Sequence, residues 1–311
     1  MKIADRTIAL TRVRDLDLAV APAPGRPLHL SAASGLACIH SYIYVIADDE
    51  LHLGVFRSEP VEPGGLIRLF DGALPGDKPG RKKQKPDLEA LTLLPPHADF
   101  PHGALLVLGS GSKNNRRRGA LLGLDPHGAV RSPPRVIDLS PLLGSLEDAF
   151  PKLNIEGAVV SGNMFSLFQR GNKRHRDNAI IRFPLPMLLD ALRSRRSGTI
   201  KPSAVIQFDL GQIDGVPLCF TDAAALPDGS MVFAAVAEST DNSYDDGPCV
   251  GAAIGMIDNQ GRLLWTRRLE PLHKIEGVDA RADGNVIKLL LATDADDPDH
   301  AASLFSATIS G

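Results

Sequence analysis

One short sequence pattern recurs five times along this chain, and an internal repeat constrains the fold more strongly than any other sequence feature. In each copy, a hydroxyl or acidic side chain stands in a small or apolar stretch that a turn and an apolar strand follow. The five marked positions are Ser34, Glu89, Glu156, Thr221 and Glu276. Their separations of 55 to 67 residues are too long for helical repeats and are typical of four-stranded propeller blades with extended loops.

Each copy contains short apolar runs that are separated by polar, glycine or proline turns. In the first copy these runs cover residues 36–40, 42–47, 51–56 and 66–70, and similar runs follow in the later copies. Runs of this length and spacing predict β-strands. Helical signal is confined to short pieces such as residues 186–195. The sequence therefore predicts an all-β chain built from four-stranded blades.

The two ends of the chain indicate how a ring of blades would close. Only 35 residues follow Glu276, and the 33 residues before Ser34 contain one good strand at residues 7–13. Because propellers avoid long unpaired edges, we expect this N-terminal strand to be the outer strand of the last blade. The prediction is one five-bladed β-propeller domain over residues 1–311, with blades at 34–72, 87–140, 154–210, 219–270, and 274–309 plus 7–13. Six blades would need four further strands.

Composition argues against several classes of protein. The formal net charge is -3, so no overall field attracts nucleic acid or an anionic membrane. No apolar stretch approaches the roughly 20 residues of a spanning helix, and charged residues interrupt the N-terminal segment. The 3 cysteines are too scattered for a disulfide framework. We therefore expect a cytoplasmic protein that binds neither nucleic acid nor membranes.

The five repeated positions would meet at the centre of the ring, because the first strand of each propeller blade lines the central channel. Three glutamates crowded there would repel one another, and burial would raise the pKa values of their carboxyl groups. A hard cation such as Ca²⁺ would neutralise them, with hydroxyls, carbonyls or water completing its oxygen shell. In the alternative interpretation, the glutamates hydrogen-bond to backbone amides of neighbouring blades and only hold the ring together.

The order hydroxyl, Glu, Glu, hydroxyl, Glu around five blades resembles the axial set of the calcium-activated nucleotidases, or apyrases. The resemblance is carried by the five marked residues and by the surrounding Glu-Gly and Leu-Glu-Ala-Leu stretches. The Glu-Gly and Asp-Leu-Glu-Ala-Leu stretches are also similar to those of the esterase-like phytase family and of related uncharacterised bacterial propellers. The resemblance implies a central calcium ion held by Ser34, Glu89, Glu156, Thr221 and Glu276.

The loops after the second strand of each blade are expected on the same face as the axial residues. Those of blades one, four and five are acidic, and those of blades two and three are basic. Carboxylates suit a metal ion or water, and cations suit an anionic group, as phosphoester chemistry requires. The candidate catalytic residues are Arg170, Asp49 and Glu238, and the candidate substrate-binding residues are Lys113, Asn114, Asn172 and Lys173. The alternative is a set of solvated loops, which is how we interpret the basic run at 81–85.

These features predict a calcium-binding propeller that acts as a metal-assisted phosphoester or ester hydrolase on a small anionic or phosphorylated molecule. The alternative, from a different class, is a non-catalytic binding or scaffold propeller whose glutamate ring is structural. A five-bladed glycosidase is disfavoured, because aromatic residues make up only 5% of the chain and no acid-base carboxylate pair stands out.

Overall fold

Five β-sheets, antiparallel except for one outer strand, form the blades of a ring, so the predicted five-bladed β-propeller is confirmed. The structure is a computed structural model, and it describes residues 4–172, 177–194, 198–239 and 247–310. In each blade the first strand lies innermost, and it contacts the first strand of the next blade around the whole ring.

The strands follow one another outward from the axis in chain order. Blade one comprises Ala33–Ile39, Tyr42–Ala47, His52–Arg57 and Gly65–Arg68. Blade two comprises Leu88–Leu94, Ala104–Gly109, Arg118–Gly123 and Arg135–Asp138. Blade three comprises Ile155–Ser161, Met164–Gln169, Ala179–Pro184 and Ala204–Gln207. Blade four comprises Cys219–Ala225, Met231–Glu238, Cys249–Ile257 and Leu263–Glu270. Blade five comprises Ile275–Asp283, Val286–Thr293 and Ser303–Ser310 with the N-terminal strand described below.

Buried apolar side chains hold neighbouring blades face to face. The second strands are apolar along most of their length because both of their faces are covered, and every residue of Ala104–Gly109 is buried. Separate apolar clusters join blades one and two, two and three, three and four, four and five, and five and one. At the contact between blades three and four, the rings of Phe168 and Phe233 each pack edge to face against Phe220.

The N-terminal segment closes the ring with two strands, where the sequence predicted one strand at 7–13. Thr11–Asp15 pairs with Ser303–Ser310 and is the outer strand of blade five, as expected. Ala4–Ala9 instead pairs in parallel with Leu263–Glu270 and gives blade four a fifth strand. The single-strand prediction was wrong because the chain crosses from the edge of blade four to the edge of blade five at Leu10, whose N–H still donates to Glu270 O.

Helices are few and short. The described α-helices are Lys78–Gln84, Ser140–Leu143 and Leu185–Ser194. Short 3₁₀ helices lie at Asn114–Arg116 and Gly144–Leu146. A small β-hairpin of Gln212–Ile213 with Val216–Pro217 lies between blades three and four in the chain. The helix predicted at 186–195 is present as Leu185–Ser194, and residue 195 lies outside the described residues. The interpretation of residues 81–85 as a solvated loop was wrong, because Asp77 caps a helix there and Arg81 is buried. None of the described helices is long and apolar enough to cross a membrane.

Candidate functional site in the central cavity

The five repeated positions occupy equivalent places in the five blades. In each blade the pairing of the first and second strands shifts by one residue, and the unpaired residue is Ser34, Glu89, Glu156, Thr221 or Glu276. Such a bulge redirects a side chain away from the sheet pleat. The repeat in the sequence therefore marks a repeated backbone irregularity on the axis, and Thr221 is the correct counterpart in blade four.

The two axial hydroxyls bond to the next blade. Ser34 Oγ donates to Leu88 O at 2.5 Å, and Thr221 Oγ1 donates to Ile275 O at 2.8 Å. Each accepting carbonyl belongs to the residue just before the next axial glutamate. These bonds tie blade one to blade two and blade four to blade five. Thr221 is fully buried below the cavity, whereas Ser34 lines it.

A polar cavity opens at the end of the axis where the second strands finish, and every blade contributes to it. The residues at or after those strand ends are Asp48, Arg116, Arg170, Glu238 and Asp294. Ser34, Glu89, Glu156 and Glu276 lie at its floor. We call this space the central cavity. The predicted convergence of the loops after the second strands is therefore present.

Arg170 joins the carboxylates of three blades in this cavity. Its Nη1 lies 3.1 Å from Glu156 Oε2 and 3.5 Å from Glu276 Oε2, and its Nη2 lies 2.6 Å from Glu238 Oε2. Burial opposes the charge of Arg170, but the three carboxylates together outweigh burial and hold its pKa well above the ordinary value. Arg170 therefore pairs with Glu156 and Glu276, which are two of the three axial glutamates predicted as metal ligands.

Lys274 continues this ionic network into blade five. Its Nζ lies 3.1 Å from Glu238 Oε1, 3.0 Å from Asp294 Oδ2 and 2.8 Å from Asp296 Oδ1. Only 8% of the Lys274 side chain is exposed. Removing one partner of such a buried ion pair strongly lowers the stability of the fold, because the remaining charge stays buried without a partner.

Three carboxylates on the opposite side of the cavity form a second group. Ligand oxygens of Asp48, Asp87 and Glu89 lie within 4.8 Å of one another. We call these residues the carboxylate trio. Among the described residues, none forms a hydrogen bond or ion pair with the Glu89 side chain, whereas Glu156 and Glu276 both pair with Arg170. All-carboxylate donor sets fit a hard divalent cation such as Ca²⁺ or Mg²⁺.

Two basic side chains flank the trio. Lys85 Nζ contacts Asp48 Oδ2 and lies 3.0 Å from Asp87 Oδ1. Arg116 Nη1 lies 2.7 Å from Asp87 Oδ2, and the hydroxyl of Ser110 donates to the same oxygen at 2.5 Å. Asp87 is thus held by three donors, whereas no residue in the described part of the chain forms such a bond with Glu89.

Burial and mutual repulsion raise the pKa values of two carboxyl groups of the trio, Glu89 and Asp48. Burial, followed by the charges of Glu156, Asp87 and Asp48, raises the pKa of Glu89 well above its usual value. Burial raises the pKa of Asp48 to about 7, with Asp49, Asp87 and Asp294 adding to the increase and Lys85 opposing it. Carboxyl groups in this state bind either protons or a cation at neutral pH.

The remaining predicted site residues are dispersed. Asn172 is buried and lines the central cavity. Asp49 lies in a neighbouring cleft, where it pairs with Arg26 at 2.8 Å, so it is not positioned with Arg170 and Glu238 as a catalytic group. Lys113 and Asn114 are exposed on the blade-two loop and do not line the cavity. Lys173 lies outside the described residues.

Several cavity residues were missed in the sequence, although a simple periodicity marks them. The residue two positions before each axial residue also lines the cavity, and these are Ala32, Asp87, Asn154, Cys219 and Lys274. Side chains two apart in a strand point to the same side. Extending the repeat by one step would therefore have identified Asp87 and Lys274.

A buried carboxylate next to the axis was also missed. Asp222 follows Thr221 and is fully buried. Its Oδ1 accepts from Ala223 N and its Oδ2 from Val278 N, both at 2.8 Å, and the backbone of Leu36 is a third donor. Asp222 therefore ties blade four to blades five and one, away from the cavity.

Comparison with solved structures relates this ring to other propellers. A candidate glycoside hydrolase from Parabacteroides distasonis has a TM-score of 0.53 and 11% identity, with 97% of each chain covered. A candidate glycosidase from Bacteroides thetaiotaomicron has a TM-score of 0.50 and 10% identity, with 96% of each chain covered. A luciferin-regenerating enzyme has a TM-score of 0.48 and 12% identity, covering 97% of this chain and 96% of its own. At these identities the similarity shows the fold alone.

Sequence comparison identifies the family. No curated protein matches the chain. Residues 29–309, which include all five axial positions, match the family described as a family of unknown function, DUF6929. Because this match covers most of the chain, the protein belongs to the DUF6929 family.

Proposed function

We propose that this protein is a cation-dependent hydrolase that cleaves a phosphoester or ester bond of a small anionic molecule in the central cavity. The observation that carries the proposal is the carboxylate trio, whose ligand oxygens lie within 4.8 Å of one another. The trio lies beside the axis, where Arg170 forms ion pairs with the other two axial glutamates.

The proposed cation site is displaced from the axis toward blades one and two. The resemblance to the apyrases implied all five axial residues as ligands, but Ser34 and Thr221 donate to backbone carbonyls. The guanidinium of Arg170 already pairs with Glu156 and Glu276. Glu89 is the axial residue without such an engagement in the described chain, and Asp48 and Asp87 supply the neighbouring oxygens.

The chain's own residues have distinct roles in this proposal. Asp48, Asp87 and Glu89 hold the cation, and a cation held there would polarise a substrate oxygen or lower the pKa of a bound water. Arg170 and Lys274 fix the positions of Glu156, Glu238 and Glu276 through ion pairs, so they act as positioning residues. Charges that are held in place in this way would stabilise charge that develops on the substrate without having to rearrange during the reaction.

Metal analysis and turnover test this function together. The full-length protein is purified with Ca²⁺ or Mg²⁺, its metal content is measured, and nucleotides, simple phosphoesters and esters are screened for turnover. Glu89→Gln is expected to lose stoichiometric metal and about 10²-fold or more of turnover. Glu62→Gln is the matched control, because Glu62 is exposed and lies outside the cavity. Full activity of Glu89→Gln, or of metal-free protein, would contradict the proposal.

A non-catalytic binding or scaffold propeller is the second candidate. The observation that favours it is the bonding of Arg170 to carboxylates of three blades, because such a network also holds the ring together. In that case chelation leaves the melting temperature unchanged and no substrate in the screen is turned over.

A further inference from the structure

Lys85 places its ammonium group among the carboxylates of the trio. Its Nζ contacts Asp48 Oδ2 and lies 3.0 Å from Asp87 Oδ1, and the charge of Glu89 acts on it as well. Only 12% of the Lys85 side chain is exposed, so these interactions are sheltered from solvent. A metal ion held by the trio would therefore share Asp48 and Asp87 with an ammonium group that already pairs with them.

The ammonium group and a metal ion would compete for these carboxylates. A calcium ion lies about 2.3–2.6 Å from its oxygen ligands, so an ammonium group in contact with the same carboxylates would be only a few ångströms away. Like charges at that separation repel strongly where little water screens them. The ion with two charges can displace the ammonium group, provided that the ammonium group finds another partner, because a buried unpaired charge is costly.

A second cleft beside Lys85 has room for the displaced group. Lys85 and Asp48 line both this cleft and the central cavity, and Arg26, Asp49 and Arg81 line the cleft alone. We call this space the side cleft. Its volume is about 150 Å³. A water-sized group needs only about 10–15 Å³, so an ammonium group can enter the side cleft.

Asp49 offers a buried acceptor in the side cleft. Its Oδ2 lies 2.8 Å from Arg26 Nη2, and its backbone oxygen accepts from Arg81 Nη1 at 2.6 Å. Its Oδ1 is buried and accepts no hydrogen bond from any described residue. Burial and the charge of Glu50 disfavour the ionised form of Asp49, and the charge of Lys85 opposes them. Because an unsatisfied buried acceptor is costly, an ammonium group that donated to Oδ1 would gain a hydrogen bond.

The backbone near Lys85 is anchored, so the exchange needs only a rotation of the side chain. Lys85 N donates to Arg81 O at 2.8 Å, and Lys85 O accepts from Asn115 Nδ2 at 3.2 Å. Asp87 does not depend on Lys85 alone, because Arg116 Nη1 lies 2.7 Å from Asp87 Oδ2. The trio therefore keeps an anchored carboxylate when Lys85 leaves it.

We propose that Lys85 is an exchangeable counter-ion of the carboxylate trio. It pairs with Asp48 and Asp87 in the metal-free protein, and it moves to Asp49 Oδ1 in the side cleft when a divalent cation binds. The inference rests on the proposed function for the cation site. It adds Lys85 as the residue that sets the affinity of the trio for the cation, and it assigns Asp49 a part in metal binding that requires no contact with the substrate.

The test measures calcium affinity of the full-length protein without turnover. Ca²⁺ is titrated calorimetrically into metal-free protein at constant pH and ionic strength. Lys85→Met is expected to bind Ca²⁺ about tenfold or more tightly than the wild type, because no ammonium group has to be displaced. Asp49→Asn is expected to bind Ca²⁺ about fivefold or more weakly, because the displaced ammonium group loses its charged acceptor.

A double-mutant cycle separates this exchange from a general loss of negative charge. If Asp49 acts only through Lys85, Asp49→Asn should change the affinity by less than about twofold in the Lys85→Met background. An equal effect of Asp49→Asn with and without Lys85 would overturn the inference. So would a calcium affinity of Lys85→Met that equals or falls below that of the wild type.

Lys83→Met and Asp297→Asn are the matched controls. Lys83 is exposed on the helix Lys78–Gln84, and Asp297 lines the side cleft with 48% of its side chain exposed. Each control should stay within about twofold of the wild type, since exposed charges are screened. If Lys85→Met does not fold, equal affinities of Asp49→Asn and Asp297→Asn overturn the inference.

The same titrations distinguish failure of the inference from failure of the proposed function. Calcium binding by the wild type with no coupling between Lys85 and Asp49 refutes the exchange and leaves the cation site standing. Absence of calcium binding in both the wild type and Lys85→Met refutes the cation site and the exchange together. Calcium binding by Lys85→Met but not by the wild type supports the exchange.

Discussion

Arg170 Nη2 lies 2.6 Å from Glu238 Oε2, and this ion pair joins the end of the second strand of blade three to that of blade four. The same guanidinium reaches Glu156 in its own blade and Glu276 in blade five. One guanidinium therefore pairs with carboxylates from three blades at the mouth of the axis. Its loss would leave those carboxylates buried together without their shared partner.

Arg170→Met is expected to lower the free energy of unfolding by about 3–5 kcal/mol, because it leaves buried carboxylates uncompensated. Chemical denaturation followed by circular dichroism measures the change. Arg262→Met is the control, since the Arg262 side chain is 72% exposed, and exposed ion pairs contribute about 0–1 kcal/mol. Adding Glu238→Gln to Arg170→Met should restore part of the stability. If Arg170→Met and Arg262→Met were equally stable, the ion pairs of Arg170 would not be what holds blades three, four and five together.

Glu89→Gln is expected to change how stability depends on pH. The pKa of Glu89 is raised above 4.5, first by burial and then by neighbouring carboxylates, so the folded chain binds this proton more tightly than the unfolded chain. Its contribution to stability is therefore present at low pH and is lost as pH rises through the folded pKa. Metal-free wild type should lose stability as the pH rises above the ordinary carboxyl pKa of 4.5, and Glu89→Gln should flatten that slope. Denaturation curves of Glu62→Gln should retain the wild-type slope, and a wild-type slope in Glu89→Gln would refute this assignment.

Two N-terminal deletions should separate the roles of the two closing strands. Removing residues 1–10 takes away the fifth strand of blade four and the buried side chain of Ile8, which costs about 2 kcal/mol or more. Removing residues 1–15 also takes away the outer strand of blade five and opens an edge of that blade. The longer deletion should melt well below the shorter one or aggregate. Equal melting of the two proteins would mean that Thr11–Asp15 does not close the ring.

Asp222→Asn is expected to destabilise the ring although the substitution preserves shape. The two carboxylate oxygens of Asp222 accept from backbone N–H groups of blades four, five and one. An amide would place its own N–H₂ group against one of these donors, and an unsatisfied buried donor costs about 1–3 kcal/mol. The free energy of unfolding measures this loss, with Asp283→Asn as an exposed control. A loss no larger than that of the control would show that the interblade bonds contribute little.

The axial residues could be predicted because a backbone feature repeats with them. A bulge occurs at the same place in the first strand of every blade, and the side chain at each bulge is a hydroxyl or a glutamate. Strand periodicity then determines which neighbours share the cavity, and Asp87 and Lys274 are among them. The five-bladed count followed from the same repeat and from the lengths of the two ends.

The partners of those residues depended on the tertiary structure. Arg170 and Glu238 are 68 residues apart in the chain, and only the curvature of the ring brings them together. Asp49 and its neighbour Asp48 look alike in the sequence, yet Asp48 faces the central cavity and Asp49 faces Arg26. Sequence periodicity determines which side of a strand a residue occupies, and therefore it determined the fold and the axial set. Which charges neutralise one another depends on distances between blades, because electrostatic interactions act through space and not along the chain.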